Sequence, residues 1–227
     1  MKKLTIIALV ATSAFATADF TEGFDDITTL AGSGWAQSNQ STTVGSTNWF
    51  QGNDTVFPSQ AGAPTAYIGA NFNNTTGANT ISNWLVTPEV NLDNGATFSF
   101  WTRTVDSPAF PDQLEVRMSL AGSSVNTGVG SAAVGDFSTL LLSVNSGLTT
   151  AGYPNSWTQF TVNLTGIAAP TTGRLALRYF VPNGGPSGLN SDYIGIDTVS
   201  YTDAVPEPAT MVVLGGLAVA ALRRRRK

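Results

Sequence analysis

Residues 173–181 read GRLALRYFV, and from Leu175 onward every second side chain is large and apolar: Leu175, Leu177, Tyr179 and Val181. A strand turns successive side chains to opposite faces, so this period sets one face against a core and the other toward polar surroundings. QLEVRMSL (113–120) repeats the pattern with Leu114, Val116, Met118 and Leu120. Further period-two runs are ATFSFWTRT (96–104), SWTQFTVNL (156–164) and DYIGIDTVSYT (192–202). Such half-buried runs, rich in β-branched and aromatic residues, predict antiparallel strands. The clusters LDNGA, SPAFPD, NTGVGS, YPNS and PNGGPSG punctuate them, each built from residues that favour turns. Away from the termini, no segment has the apolar period of a three-turn amphipathic helix. The predicted fold is all-β, a jelly-roll-type antiparallel β-sandwich in one domain, 19–203.

The chain contains no Cys and no His. Disulfides therefore cannot hold the fold, and the core must. The commonest general base, the thiol nucleophile and the usual zinc ligands are missing with them. Between Asp19 and Ala204 there are four Arg and no Lys against fourteen acids, a net charge of −10. That surface repels phosphate backbones and argues against a nucleic-acid partner. Neutral glycans and divalent cations are compatible with it.

Both termini depart from this composition. MKKLTIIALVATSAFATADF has Lys2 and Lys3, an apolar run from Leu4 to Val10, and two small-x-small sites ending at Ala16 and Ala18. That layout predicts a secretory signal peptide over 1–18, cut after Ala18. At the other end, Val205-Pro206-Glu207-Pro208 precedes an apolar run holding Met211, Val212, Val213, Leu214, Leu217, Val219 and Leu222. Arg223, Arg224, Arg225, Arg226 and Lys227 follow. As a helix, Ala209–Leu222 would span about 21 Å at ~1.5 Å per residue, short of a ~30 Å hydrocarbon core. Arginine snorkelling and local thinning close such a gap at modest cost. The basic cluster stays cytoplasmic by the positive-inside rule, which puts the domain outside.

The phrases NWLVTPEVNLDNGATFSFWTRT (83–104), FPDQLEVRMSL (110–120) and IGIDTVS (194–200), with the opening DFTEGFDD and Gly34-Trp35, resemble the choice-of-anchor J family, related to cleaved-adhesin domains. The stretch 121–155 does not match that pattern, and loops are where such domains vary. The tail from Val205 resembles the PEP-CTERM sorting signal. That resemblance implies export, an inner-membrane-anchored intermediate, cutting by an exosortase, and residence at the cell surface or in the extracellular matrix of a Gram-negative-type bacterium that makes exopolysaccharide. The function implied is a non-catalytic binding or structural module. A calcium-dependent lectin or adhesin is the second reading and a glycoside hydrolase the third.

Each reading selects its own residues. Hydrolysis would need two carboxyl groups roughly 5–9.5 Å apart, and Asp106, Asp112 and Glu115 cluster near one strand entry. Calcium would need clustered oxygens, for which the candidates are Glu22 and Asp25 of the opening acidic stretch with Asp197, and a jelly roll that pairs its first and last strands would bring Glu22 near Asp197. In the last strand, Ile194 and Ile196 are expected on one face, and Asp197 with Val199 and Tyr201 on the other. A carboxylate buried there requires a partner, whether Ca²⁺, backbone amides or Arg. Glycan stacking would use loop-side aromatics, here Trp35, Trp49, Phe110, Tyr153 and Trp157, whereas Trp84 and Trp101 read as core or sheet-edge packing.

Overall fold

All five alternating runs form strands in the computed structural model, which describes residues 19–205. The signal peptide 1–18, Pro206, Glu207 and Pro208 of the sorting motif, the apolar anchor and the basic cluster lie outside the described residues. The chain enters through β1 (Phe20–Glu22), β2 (Ala36–Asn39), β3 (Thr42–Val44), β4 (Phe50–Gln51) and β5 (Ile68–Asn71). The middle of the chain forms β6 (Thr75–Val86), β7 (Val90–Leu92), β8 (Thr97–Thr104) and β9 (Leu114–Ser119). It ends with β10 (Thr139–Val144), β11 (Thr158–Asn163), β12 (Thr171–Gly184) and β13 (Tyr193–Thr202). Helical structure among the described residues is limited to two 3-10 segments, Ile27–Ser33 and Phe72–Asn74.

The strands build two antiparallel sheets. The first runs β11-β8-β13-β5-β4, with β1 also on β13; the second runs β10-β9-β12-β6-β2, with β3 on β6 and β7 on β12. Their inner faces meet in one core. Phe98, Phe100, Ile194 and Ile196 face Leu114, Val116, Leu175, Leu177 and Tyr179, and each is fully buried. Burying a side chain of this size contributes about 1.5–3 kcal/mol, and with no Cys available the fold rests on such burial.

Two details of the expected pattern change. Leu120 lies just past the end of β9 and is exposed, so only Leu114, Val116 and Met118 of that run enter the core. In β13, Val199 and Tyr201 join the core with Ile194 and Ile196 instead of siding with Asp197. The cause is a bulge: pairing with β8 shifts between Asp197 and Ser200, and Thr198 takes a positive φ of 46°. An extra residue in one strand inverts the facing of everything after it.

Loops cover part of both outer faces. On the first sheet, residues 52–66 fold over Gly195, where Phe57 packs with Tyr67, Tyr193 and the half-buried Trp157. A Cβ at Gly195 would stand 2.8 Å from the Phe57 ring, so only glycine lets the cover close. On the second sheet, part of the 121–155 stretch lies over Trp84, Val86 and Ala176, to which it contributes Phe137. Beneath it Arg178 is almost fully buried, its guanidinium 4.7 Å from the Trp84 ring and 4.0 Å from the Phe180 ring. Arg178 also pairs with Glu115 at 3.1 Å and donates to the carbonyl of Ser131. Burial pushes this guanidinium down to about 10, with Glu115 opposing the shift.

A buried ion pair is costly to break from one side. Arg178→Ala is expected to lower stability by about 3–5 kcal/mol in chemical denaturation, and Arg178→Met with Glu115→Leu to recover most of it. A loss under 1 kcal/mol in the single variant would show that the loop cover does not depend on this pair.

Candidate binding site

Asp112 closes the interior at one end of the sandwich. It is fully buried, and one carboxyl oxygen accepts from the Tyr179 hydroxyl at 2.5 Å and from the Asp192 amide at 2.8 Å. The other lies 2.7 Å from Thr104 Oγ1, which is itself 2.8 Å from the carbonyl of Tyr193. A hydroxyl has one proton to give, and the carbonyl can only accept. When Asp112 is protonated it donates to Thr104, Thr104 donates to Tyr193, and every group in the chain is satisfied. Burial raises this carboxyl from 3.8 to about 6, against the opposing pull of its three hydrogen bonds.

This network fixes two loops, and they form a cleft. Its lining includes Phe72, Phe110, Pro186, Ser191 and Asp192, around a volume of about 170 Å³. That is smaller than the ~300–1,000 Å³ of typical small-molecule sites, so it suits one projecting group and not a whole ligand. Gly185, at φ 95°, lets the PNGGPSG turn fold back, and its amide donates to Ser191 Oγ at 2.9 Å. Phe72 and Phe110 are 37% and 42% exposed, so both rings offer accessible surface. Desolvation raises the Asp192 carboxyl above its ordinary range, while a hydrogen bond from the Ala109 amide lowers it. Aromatic rings beside a carboxylate and backbone amides can stack on and hydrogen-bond a sugar.

Of the aromatics expected to contact glycan, the structure leaves two accessible. Phe110 is at the cleft, and Trp157 is half-buried, with Nε1 donating to the Pro58 carbonyl at 2.9 Å. Trp35, Trp49 and Tyr153 are core residues, which corrects the sequence expectation. Trp35 packs against the edges of Phe20 and Phe24, and the Tyr153 hydroxyl lies 2.6 Å from Thr102 Oγ1. Phe72 and Asp192 were missed, although PNGGPSG and an aromatic in NFNNTTG mark both places as exposed turns.

The acids selected for calcium do not gather. β1 does pair with β13, but Glu22 stands opposite Val199, past the bulge, and its Oε1 accepts from the Phe24 amide at 2.7 Å. Asp25 is exposed. Asp197 Oδ2 accepts from the amides of Gln60 and Ala61, and Oδ1 from that of Thr198. The partner for this buried carboxylate is therefore the backbone of its own loop cover. No group of three or more acids among the described residues has the arrangement to hold a metal ion, so Glu22, Asp25 and Asp197 do not form the calcium site expected of them. The acids selected for hydrolysis are likewise engaged. Glu115 is paired with Arg117 and Arg178, Asp112 is sealed in the interior, and the exposed Asp106 is paired with Arg103.

Residues 204–227 match the model of the PEP-CTERM protein-sorting motif. The tail is a sorting signal. It marks an exported chain that passes through a membrane-anchored intermediate and is processed by an exosortase-type enzyme. Among the described residues no helix is long and apolar enough to cross a membrane. The domain has the fold of cleaved adhesin domains. The K1 domain of Lys-gingipain from Porphyromonas gingivalis W83 superposes with a TM-score of 0.55 at 20% identity, over 83% of this chain and 99% of that one. The K3 domain of the same protein gives 0.51 at 23% identity, over 81% and 97%. The K2 domain gives 0.53 at 17%, over 82% and 99%. No curated protein matches the sequence.

The Asp112 network yields a pH test. The folded form binds this proton more tightly than the unfolded chain, so the group adds stability as pH falls from above 6 toward 3.8 and loses it as pH rises. The difference corresponds to about 3 kcal/mol at 1.36 kcal/mol per pH unit. The melting temperature should be higher at pH 5 than at pH 7.5. Asp112→Asn, which mimics the neutral acid, should narrow that gap without unfolding the protein. An unchanged pH profile in Asp112→Asn would contradict a titrating Asp112.

Proposed function

We propose that the chain is a non-catalytic binding and structural module of the cell surface or extracellular matrix, associated with exopolysaccharide. Its host is read as a Gram-negative-type bacterium, and an exosortase-type enzyme frees the domain from the inner membrane. The sorting motif carries this reading, because it attaches a temporary membrane hold to a domain that folds entirely ahead of it. The engaged state of the acids favours binding over catalysis: Asp112, Glu115 and Asp197 each serve the fold. The cleft between Phe72 and Phe110 supports contact with a sugar unit, its rings exposed and Asp192 beside them.

Affinity electrophoresis of the exported protein through gels containing host exopolysaccharide tests the proposal. Migration should be retarded, and Phe110→Ala should weaken the retardation severalfold without lowering the melting temperature. Unretarded migration of the natural protein would contradict association with that polymer.

A further inference from the structure

The outer face of the first sheet is only half covered. The loop 52–66 and its aromatic cluster occupy the side of β4, β5 and the start of β13. The other half follows from the register. Phe98 and Phe100 point into the core, so Thr97, Ser99 and Trp101 point outward. One rung crosses four strands as Thr161, Ser99, Ser200 and Thr21, with Thr21 Oγ1 donating to Ser200 Oγ at 3.2 Å. The next consists of Asn163, Thr97 and Thr202. On the other side, Gln159 stands beside Trp101, which is half-buried and joins none of the three buried clusters.

None of these side chains is charged, on a domain whose net charge is −10. Two charged residues of this face border the platform, and both are engaged: Asp197 is sealed under the loop by the Gln60 and Ala61 amides, and Arg103, the next outward residue of β8 after Trp101, is ion-paired with Asp106 and donates to the Asn155 carbonyl. At one corner the register sets Asp19 beside Thr202, and its carboxylate accepts from the Asp203 amide. A polyanion finds no unpaired cation here, a cation finds only the single corner acid Asp19, and a protein interface would lack an apolar centre beyond one ring. Hydroxyl and amide groups around an indole suit a ligand that is itself neutral and polyhydroxylated. With strands ~4.8 Å apart and same-face residues ~6.8 Å apart, the platform measures about 14 by 14 Å, flat and open at its edges. It therefore accepts a chain passing across it, whereas the cleft accepts a single group. The two lie at opposite ends of β13, about 30 Å apart over its ten residues.

We infer that this rung array is a docking platform for an extended, uncharged polysaccharide, with Trp101 stacking on a sugar ring and the Ser, Thr, Asn and Gln side chains bonding its hydroxyls. The inference rests on the reading of the chain as a polysaccharide-associated module, and adds a second surface and a ligand class to it.

Affinity electrophoresis of the full chain against neutral β-glucan, neutral galactomannan and acidic alginate tests it, with melting temperatures measured in parallel. At least one neutral polymer should bind. Thr161→Glu, on exposed edge strand β11, should weaken that binding tenfold or more at unchanged melting temperature, since burying the new charge against sugar is costly. Gln159→Ala serves as a milder second variant if Thr161→Glu melts early, and should weaken binding severalfold. Unchanged binding in the folded platform variants, together with loss in Phe110→Ala, would overturn the platform and leave the cleft. Preference for alginate over both neutral polymers would overturn the ligand class. No binding to any of the three would overturn the platform and the polysaccharide reading together.

Discussion

Where the two sheets approach each other at the cleft end, a single carboxyl group touches both. Asp112 is bonded to Thr104 of β8 in the first sheet, to Tyr179 of β12 in the second, and to the amide of Asp192 at the root of the PNGGPSG loop. A chain without disulfides must hold its loops by packing and hydrogen bonds alone, and here one proton-sharing network does so for two loops at once. Its neutral form leaves no donor or acceptor wasted, which is why burial can raise the acid to about 6 without unfolding its surroundings. The position of Phe110 and Asp192 at the surface follows from the order inside.

The same economy explains the outer faces. An acidic domain with four arginines places two of them beneath or beside loop covers, with Arg178 held between aromatic rings and Arg103 4.4 Å from the Phe57 ring. Asp197 receives the amides of the loop 52–66 in the same way. Charges are thus drawn into the attachment of covers. The open part of the first sheet is left with hydroxyls, amides and one indole.

The core side of β12 was plain in the sequence, because its period is visible: Leu175, Leu177, Tyr179 and Val181 stand there as expected, although Ala176 and Arg178 on the opposite face are also buried, under the loop cover. The same alternation in ATFSFWTRT places Trp101 out of phase with Phe98 and Phe100, so its outward position was legible even though it reads at first as packing. β6 was harder. From Ile81 to Val86 both faces are buried, one in the core and one under the 121–155 stretch, and a doubly buried strand loses its period. The bulge at Thr198 has no composition signal, and it moved Val199 and Tyr201 to the opposite face. Burial of Trp35, Trp49 and Tyr153 depends on which loops fold inward, which turn residues alone do not state. The cleft needed two distant loops to meet, so of its two rings and one acid only Phe110 was foreseen.

The central claim is that this domain is exported, held briefly by its tail and then released to work in a polymer matrix. Intact-mass measurement of the protein recovered separately from membranes and from the extracellular matrix of its host tests that claim most directly. The account predicts a matrix form lacking both residues 1–18 and the basic cluster Arg223–Lys227, beside a membrane form that retains the cluster. A matrix form that still carries Arg223–Lys227, or a protein found only in membranes at that full length, would contradict it.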